Sequence, residues 1–154
     1  MNQIASLLPL SNIALDLDAG TKVRLFEEMG ILFERTAGIS RATVAASLAA
    51  REKLGSTGLG QGIAIPHGRI KGLTTAIGAF VRPLAPIPFD APDGRPVAQA
   101  FVLLVPEKAT EEHLQLLSQL AQMFSDKTFR DRLAASTAAE DLHALFTDWT
   151  PNAQ

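Results

Sequence analysis

The residues best suited to chemistry lie in one stretch, Gly58-Leu59-Gly60-Gln61-Gly62-Ile63-Ala64-Ile65-Pro66-His67-Gly68-Arg69. Spaced glycines lead into the apolar run Ile63 to Ile65, which stops at Pro66 and presents His67 between Pro66 and Gly68. β-Branched residues alternating with a small one suit a buried strand. Pro66 biases Ile65 toward an extended conformation and fixes its own φ, so the strand end is expected to deliver His67 at a defined angle. Gly68, without a β-carbon, either leaves room for a group beside the imidazole or lets the backbone turn sharply. Near pH 7 an unprotonated imidazole nitrogen is a nucleophile able to accept a phosphoryl group. Such a transfer asks the protein mainly for in-line positioning and charge stabilisation. A histidine in a Pro-His-Gly corner could equally be a turn residue, so its neighbours decide the matter.

Those neighbours are Arg51, Ser56, Thr57, Gly58, Gly60, Gly62 and His113. Ser56-Thr57-Gly58-Leu59-Gly60-Gln61-Gly62 lacks the Gly-Lys-Ser/Thr ending of a phosphate-binding P-loop. Its small residues could still aim backbone N–H groups and two hydroxyls at an anion, or serve only as a flexible turn. Arg51 can supply permanent positive charge for a phosphoryl group, or simply occupy a favourable helix end. His113 shares a helical stripe with Leu116, Leu117, Leu120, Ala121 and Phe124, so a core or boundary histidine is its plain reading. Its place in a first helical turn favours the neutral ring, which could orient His67 or hydrogen-bond a phosphoryl oxygen. His143, late in a terminal helix, reads as a surface or dipole-stabilising residue. No His-x₃-His or His-Glu-x-x-His pair is present, which argues against a metal site. The Gly-x-Ser-x-Gly elbow of a serine hydrolase is also missing.

The chain has 154 residues, 47% hydrophobic and 19% charged, and carries a formal net charge of −2. That length fits one domain with a substantial core. The charge provides no basic field for nucleic acid. There is no cysteine, which removes disulfides, thiolate catalysis and Cys-type zinc sites, and fits a reducing compartment. Residues 1–18 contain no Lys or Arg and interleave polar residues, unlike a signal peptide. No apolar run approaches the roughly 20 residues that span a bilayer. A cytoplasmic protein, without membrane insertion, is expected.

The elements that must position these groups follow in order. Residues 2–8 suit a short helix ended by Pro9, and Ile13 to Leu17 suits a strand. The spacing of Val23, Phe26, Met29 or Gly30, and Phe33 predicts a helix over Ala19 to Thr36, stopped by Gly38. Ser40 is a good N-cap for a helix over Arg41 to Lys53, with Val44, Ala45, Leu48 and Ala49 inward. Ala76 to Val81 reads as a strand, and four prolines from Pro83 to Pro92 then permit only a short extended piece near Ile87 to Phe89. Val97 to Val105 is apolar on both faces, as a central strand would be. Thr110 caps a helix to about Phe124, and further helices are expected over Lys127 to Ala134 and Ala138 to Phe146. Pro151 to Gln154 reads as a frayed tail. Helices flanking a run of strands give an α/β sandwich with a mixed sheet.

The run Arg51-Glu52-Lys53-Leu54-Gly55-Ser56-Thr57-Gly58 through Pro66-His67-Gly68 resembles the signature of the phosphotransferase-system EIIA domain of the fructose/mannitol type, and the nitrogen-regulatory branch (EIIA-Ntr) looks closest. Residues 86–97, the strand ending Leu-Leu-Val-Pro at 103–106, and His113-Leu114 extend the similarity to about residues 12–148. The resemblance implies a single EIIA domain over 1–154, with His67 as phosphoryl acceptor. The tele nitrogen is expected, although residue types alone do not distinguish the two ring nitrogens. His113 would be the second active-site histidine and Arg51 the nearby cation, with Ser56, Thr57 and Gly58 in the phosphoryl loop and no metal or cofactor. The implied donor is a phosphorylated HPr-like carrier, the nitrogen-branch form called NPr. Regulatory members bind other proteins according to phosphorylation state, including potassium transporters and sensor kinases. A sugar-transport EIIA, handing the phosphoryl group to an EIIB, and a binding module that has lost phosphorylation remain the competing readings.

Overall fold

The structure, a computed structural model, describes residues 2–108 and 110–151. A short helix α1 (Gln3–Leu7) and a 3-10 turn (Leu10–Asn12) lead into β1 (Ile13–Leu17). Two helices follow, α2 (Lys22–Ala37) and α3 (Arg41–Glu52), and then five strands. These are β2 (Gly58–Gly60), β3 (Ile63–Ala64), β4 (His67–Ile70), β5 (Ile77–Pro83) and β6 (Gln99–Pro106). Three helices complete the described chain: α4 (Glu111–Ser125), α5 (Lys127–Ala135) and α6 (Ala139–Asp148).

The sheet runs β1-β5-β6-β3-β2, with β4 also on β6. β1 is parallel to β5, and β6 is antiparallel to β5 but parallel to β3 and β4. This is the expected mixed sheet. β6 is buried from Gln99 to Val105, which explains its apolar character on both faces. Side chains alternate across a strand, so the two faces feed two cores. Ala100, Val102 and Leu104 meet α2 and α3 in one, around Phe26, Met29, Phe33, Val44 and Leu48. Phe101, Leu103 and Val105 meet α1, α4, α5 and α6 in the other. There Phe146 of α6 stands 5.3 Å from the rings of Phe80 and Phe129, and 5.6 Å from Phe101. The N-terminal residues join this second core, with Ile4 and Leu8 fully buried. His143 Nε2 donates to the Leu8 carbonyl at 3.0 Å, so this histidine ties α6 to the end of α1.

Local signals set most helix ends. Thr21 Oγ1 accepts from the Arg24 N–H at 3.1 Å, and Gly38 closes α2 with φ 71°, a left-handed geometry that glycine adopts without strain. The helix therefore starts at Lys22, later than expected. Val23 is 68% exposed, while Leu25 and Leu32 take inward positions. On α3 only Val44 and Leu48 are fully buried, Ala45 is half-buried, and Ala49 faces outward. Ser40 makes no side-chain cap; Glu34 Oε2 instead accepts from the Arg41 N–H at 3.1 Å. Val97 precedes β6 and pairs with Ile87, the extended piece within the proline-rich segment. Of the expected C-terminal tail, residues 152–154 lie outside the described residues.

Pro66 does not end the strand that carries His67. Ile63 pairs with Gln99 before it and His67 with Leu103 after it, without a register shift. Pro66 has no N–H for the ladder, which breaks the regular pattern, but its carbonyl still accepts from the Leu103 N–H at 2.9 Å. His67 is therefore the first residue of β4 rather than a corner beyond β3. Gly68, next in line, alternates to the opposite face, where Ser47 of α3 packs against its backbone. A β-carbon at Gly68 would collide with Ser47 Oγ. The same hydroxyl donates to the Arg69 carbonyl at 2.9 Å, joining α3 to β4. The space beside Gly68 belongs to the scaffold, and no sharp turn occurs there.

Gly68→Ala is expected to destabilise the protein by about 1–3 kcal/mol, the usual cost of forcing a methyl group into a filled contact. Urea unfolding would measure it. The cost should shrink when Gly68→Ala is introduced into a Ser47→Ala background, because the clash is with that side chain.

Candidate functional site

His67, Arg51 and His113 reach one cavity of about 670 Å³ from three elements, with Arg69, Leu54 and Leu114 also on its wall. β4 contributes His67 and Arg69, two residues apart and hence on one face. The C-terminal end of α3 contributes Arg51, and the first turn of α4 contributes His113. Leu54 is 85% exposed and Leu114 65% exposed, so the cavity opens beneath an apolar rim.

The half-buried His67 ring is held by a hydrogen bond of 2.8 Å between Nδ1 and the Ile65 carbonyl. A carbonyl oxygen only accepts, so Nδ1 carries the proton and the neutral ring keeps its lone pair on Nε2. Nε2, the tele nitrogen, is thus the ring atom whose lone pair is left free. Burial pushes the His67 pKa below its ordinary value of 6.5, the Ile65 carbonyl opposes the shift, the Arg51 guanidinium lowers it further, and Glu52 opposes it.

His113 is at the third position of α4, and its Nδ1 accepts from the Thr110 N–H at 3.0 Å. Helix capping therefore keeps the proton on Nε2 and makes that end of the ring a donor. Arg51 Nη1 donates to the Gly55 carbonyl at 2.8 Å, which anchors the guanidinium over the turn after α3. An imidazole nitrogen with a free lone pair, an N–H donor and a cation thus line one water-accessible space.

The loop residues differ from expectation. Ser56, Thr57 and Gly58 do line a smaller space of about 180 Å³ shared with Arg51 and His67. Their polar groups, however, serve the scaffold. Ser56 Oγ donates to the Phe89 carbonyl at 2.6 Å and accepts from the Gly58 N–H at 3.0 Å. Thr57 gives its N–H and its hydroxyl to Glu52, at 3.0 and 2.6 Å. Gly58 to Gly60 pairs antiparallel with β3 as a short hairpin strand. These hydroxyls and N–H groups are engaged rather than aimed at an anion, because the loop must be tied to α3 and to residue 89.

Four contributors escaped the reading of the sequence. Glu52 is a buried acid, its side chain 6% exposed, paired with Lys22 Nζ at 3.0 Å. An acid in the last turn of a helix opposes the dipole, and that misfit was its one local signal. Arg69 and the exposed leucines Leu54 and Leu114 are the others. Arg69 was detectable by strand alternation from His67. No group of three or more His, Cys, Asp or Glu side chains suited to a metal occurs among the described residues. No described helix is long and apolar enough to cross a membrane.

The geometry sets the pH behaviour. His67 should titrate below pH 6.5 and exist as the Nδ1–H tautomer above its pKa, as read by ¹⁵N NMR. Acceptance of an electrophile should rise with pH through that lowered pKa and be flat by pH 7. Arg51→Gln should move the pKa upward, since it removes a cation that repels the protonated ring.

Comparisons with known proteins show the family. The family model described as "Phosphoenolpyruvate-dependent sugar phosphotransferase system, EIIA 2" matches residues 6–149. The chain is 44% identical over 149 residues to a nitrogen regulatory protein of Pseudomonas aeruginosa, covering 96% of this chain and 97% of that one. It is 42% identical over 129 residues to the nitrogen regulatory protein of Escherichia coli K12, covering 83% of this chain and 79% of its relative. Among solved structures, the nitrogen regulatory protein IIA-Ntr of Neisseria meningitidis superposes with a TM-score of 0.88 at 56% identity, over 94% of this chain and 99% of that one. A buried strand that presents one oriented histidine thus stands within a match spanning nearly the whole sequence, and the chain belongs to the EIIA 2 family of the phosphoenolpyruvate-dependent sugar phosphotransferase system.

Proposed function

We propose that this protein is a nitrogen-regulatory phosphocarrier whose His67 Nε2 accepts a phosphoryl group from a phosphorylated HPr-like carrier, the nitrogen-branch form NPr. The observation that carries this reading is the His67 ring itself. Its Nδ1 is engaged with the Ile65 carbonyl at 2.8 Å, which leaves Nε2 as the free nucleophile. In the transfer, the Nε2 lone pair attacks phosphorus in line with the breaking P–N bond of the donor phosphohistidine. The donor nitrogen keeps that bond's electron pair. Charge on the equatorial phosphoryl oxygens meets Arg51 and the Nε2–H of His113. No nucleotide or metal takes part in this scheme.

Phosphorylation adds nearly two negative charges to the cavity beneath the apolar rim of Leu54 and Leu114. That change disfavours an apolar partner surface and favours a cationic one, so phosphorylation state selects among targets. Potassium transporters and sensor kinases are the target classes proposed. The identity to nitrogen regulatory proteins supports this branch over delivery of the phosphoryl group to a sugar-transport EIIB.

Intact mass after incubation with phosphoenolpyruvate, an EI-type kinase and an HPr-type carrier tests the chemistry. Wild type should gain a single acid-labile ~80 Da, the mass of one phosphoryl group on a histidine, and His67→Ala should gain nothing. Arg51→Gln and His113→Ala should still be labelled, but about 10²-fold more slowly, as when one charge-stabilising group is lost. Labelling of His67→Ala at the wild-type rate would refute the assignment.

A further inference from the structure

We propose that Glu52 is a positioning residue for His67, acting through Thr57 and Ile65 to keep Nε2 turned toward the incoming phosphoryl group. The proposal rests on the phosphocarrier reading above and extends it to a residue without a place in the transfer itself. Four hydrogen bonds link the carboxylate to the imidazole. Glu52 Oε2 accepts from the Thr57 N–H at 3.0 Å, and Oε1 accepts from the Thr57 hydroxyl at 2.6 Å. The Thr57 carbonyl accepts from the Ile65 N–H at 3.0 Å. The Ile65 carbonyl accepts from His67 Nδ1–H at 2.8 Å. Thr57 is buried, 6% exposed, so water does not replace these partners easily.

The chemistry calls for a carboxylate in particular. Glu52 accepts three hydrogen bonds, from Lys22 Nζ and from two groups of Thr57. An ionised carboxylate offers acceptors on both oxygens, whereas an amide offers one acceptor oxygen and turns two donors toward the remaining partners. The position is otherwise unfavourable, since an anion at a helix C-terminus meets the negative end of the dipole and burial penalises its charge. Lys22 supplies the countercharge, its ammonium 5.0 Å from the centre of the Phe89 ring. Ser56 fastens the same loop to the Phe89 carbonyl, so the loop that orients Ile65 is held on both sides.

The test separates orientation from stability. Glu52→Gln should slow acceptance from the phosphorylated carrier by about 10- to 100-fold, the scale of a small displacement of a reacting group. Its ¹⁵N NMR spectrum should show a mixture of the Nδ1–H and Nε2–H forms of His67 in place of one tautomer. Lys22→Met with Glu52→Gln removes both charges together and should restore stability in urea, but neither the rate nor the single tautomer. A folded double variant with the wild-type tautomer and rate would overturn the proposal. Should both Glu52 variants fail to fold, Thr57→Val removes the hydroxyl link alone. Tautomer mixing in that variant would support the proposal, and an unchanged ring would refute it. The tautomer needs no phosphoryl donor, so it decides the role of Glu52 even if wild type accepted no phosphoryl group. That second result would refute only the phosphocarrier reading.

Discussion

The pairing of residues 63–70 with β6, in one register across Pro66, is the constraint from which the site follows. Alternation along this strand sends Ile63, Ile65 and His67 toward α4, and Ala64, Gly68 and Ile70 toward α2 and α3. A slip of one residue would exchange the faces and turn the imidazole into the α2/α3 core. The same pairing leaves the Ile65 carbonyl free of β6, where the ring of His67 can reach it. Orientation of the His67 ring is thus a consequence of sheet register.

Around His67, Arg51 and His113 come from the ends of two helices meeting that strand, and Arg69 comes from the strand itself. The last turn of α3 carries Arg51, whose guanidinium suits the negative end of the dipole and lowers the pKa of His67. α4 begins with His113, whose ring caps the helix through Nδ1 and so keeps its proton on the other nitrogen. Burial and the guanidinium both favour a neutral His67, and neutrality is what a nucleophilic nitrogen requires. Glu52, pulling the other way, is neutralised by Lys22 at 3.0 Å and engaged by Thr57. The site therefore holds the Arg51 cation close to an uncharged imidazole, with the buried Glu52 carboxylate facing the scaffold.

The two cores divide the work. The α2/α3 core fixes the end of α3 and hence Arg51, and the α1/α4/α5/α6 core fixes the first turn of α4 and hence His113. β6 contributes alternate residues to both, so the cation and the donor are referred to one central strand. Exposed Leu54, in the turn after α3, and Leu114, on α4, stand at the cavity rim. Under the proposed phosphorylation, the charge change on His67 would be presented to a partner inside an apolar frame, where desolvation makes it felt most strongly.

Much of this was local and legible. The helical spacing, the Gly38 stop and the apolar run of β6 obey short-range rules of geometry and burial, and they appear in the structure close to where the residue pattern puts them. His67, Arg51 and His113 were singled out by residue type and by helix or strand position, and the fold brings all three to one cavity. What the pattern misjudged depends on distant partners. Pro66 looks like a strand end until Leu103 supplies a donor to its carbonyl. The hydroxyls of Ser56 and Thr57 look free until Phe89 and Glu52 claim them, and Val23 looks inward until neighbouring elements leave it exposed. The amino-acid sequence by itself determined which elements form and which groups can carry the chemistry, because capping, proline geometry and hydrophobic period act over a few residues. Only the tertiary structure decided which nitrogen of His67 is free and what Glu52 holds, because hydrogen bonds between segments far apart in the chain exist only once the sheet has set its register.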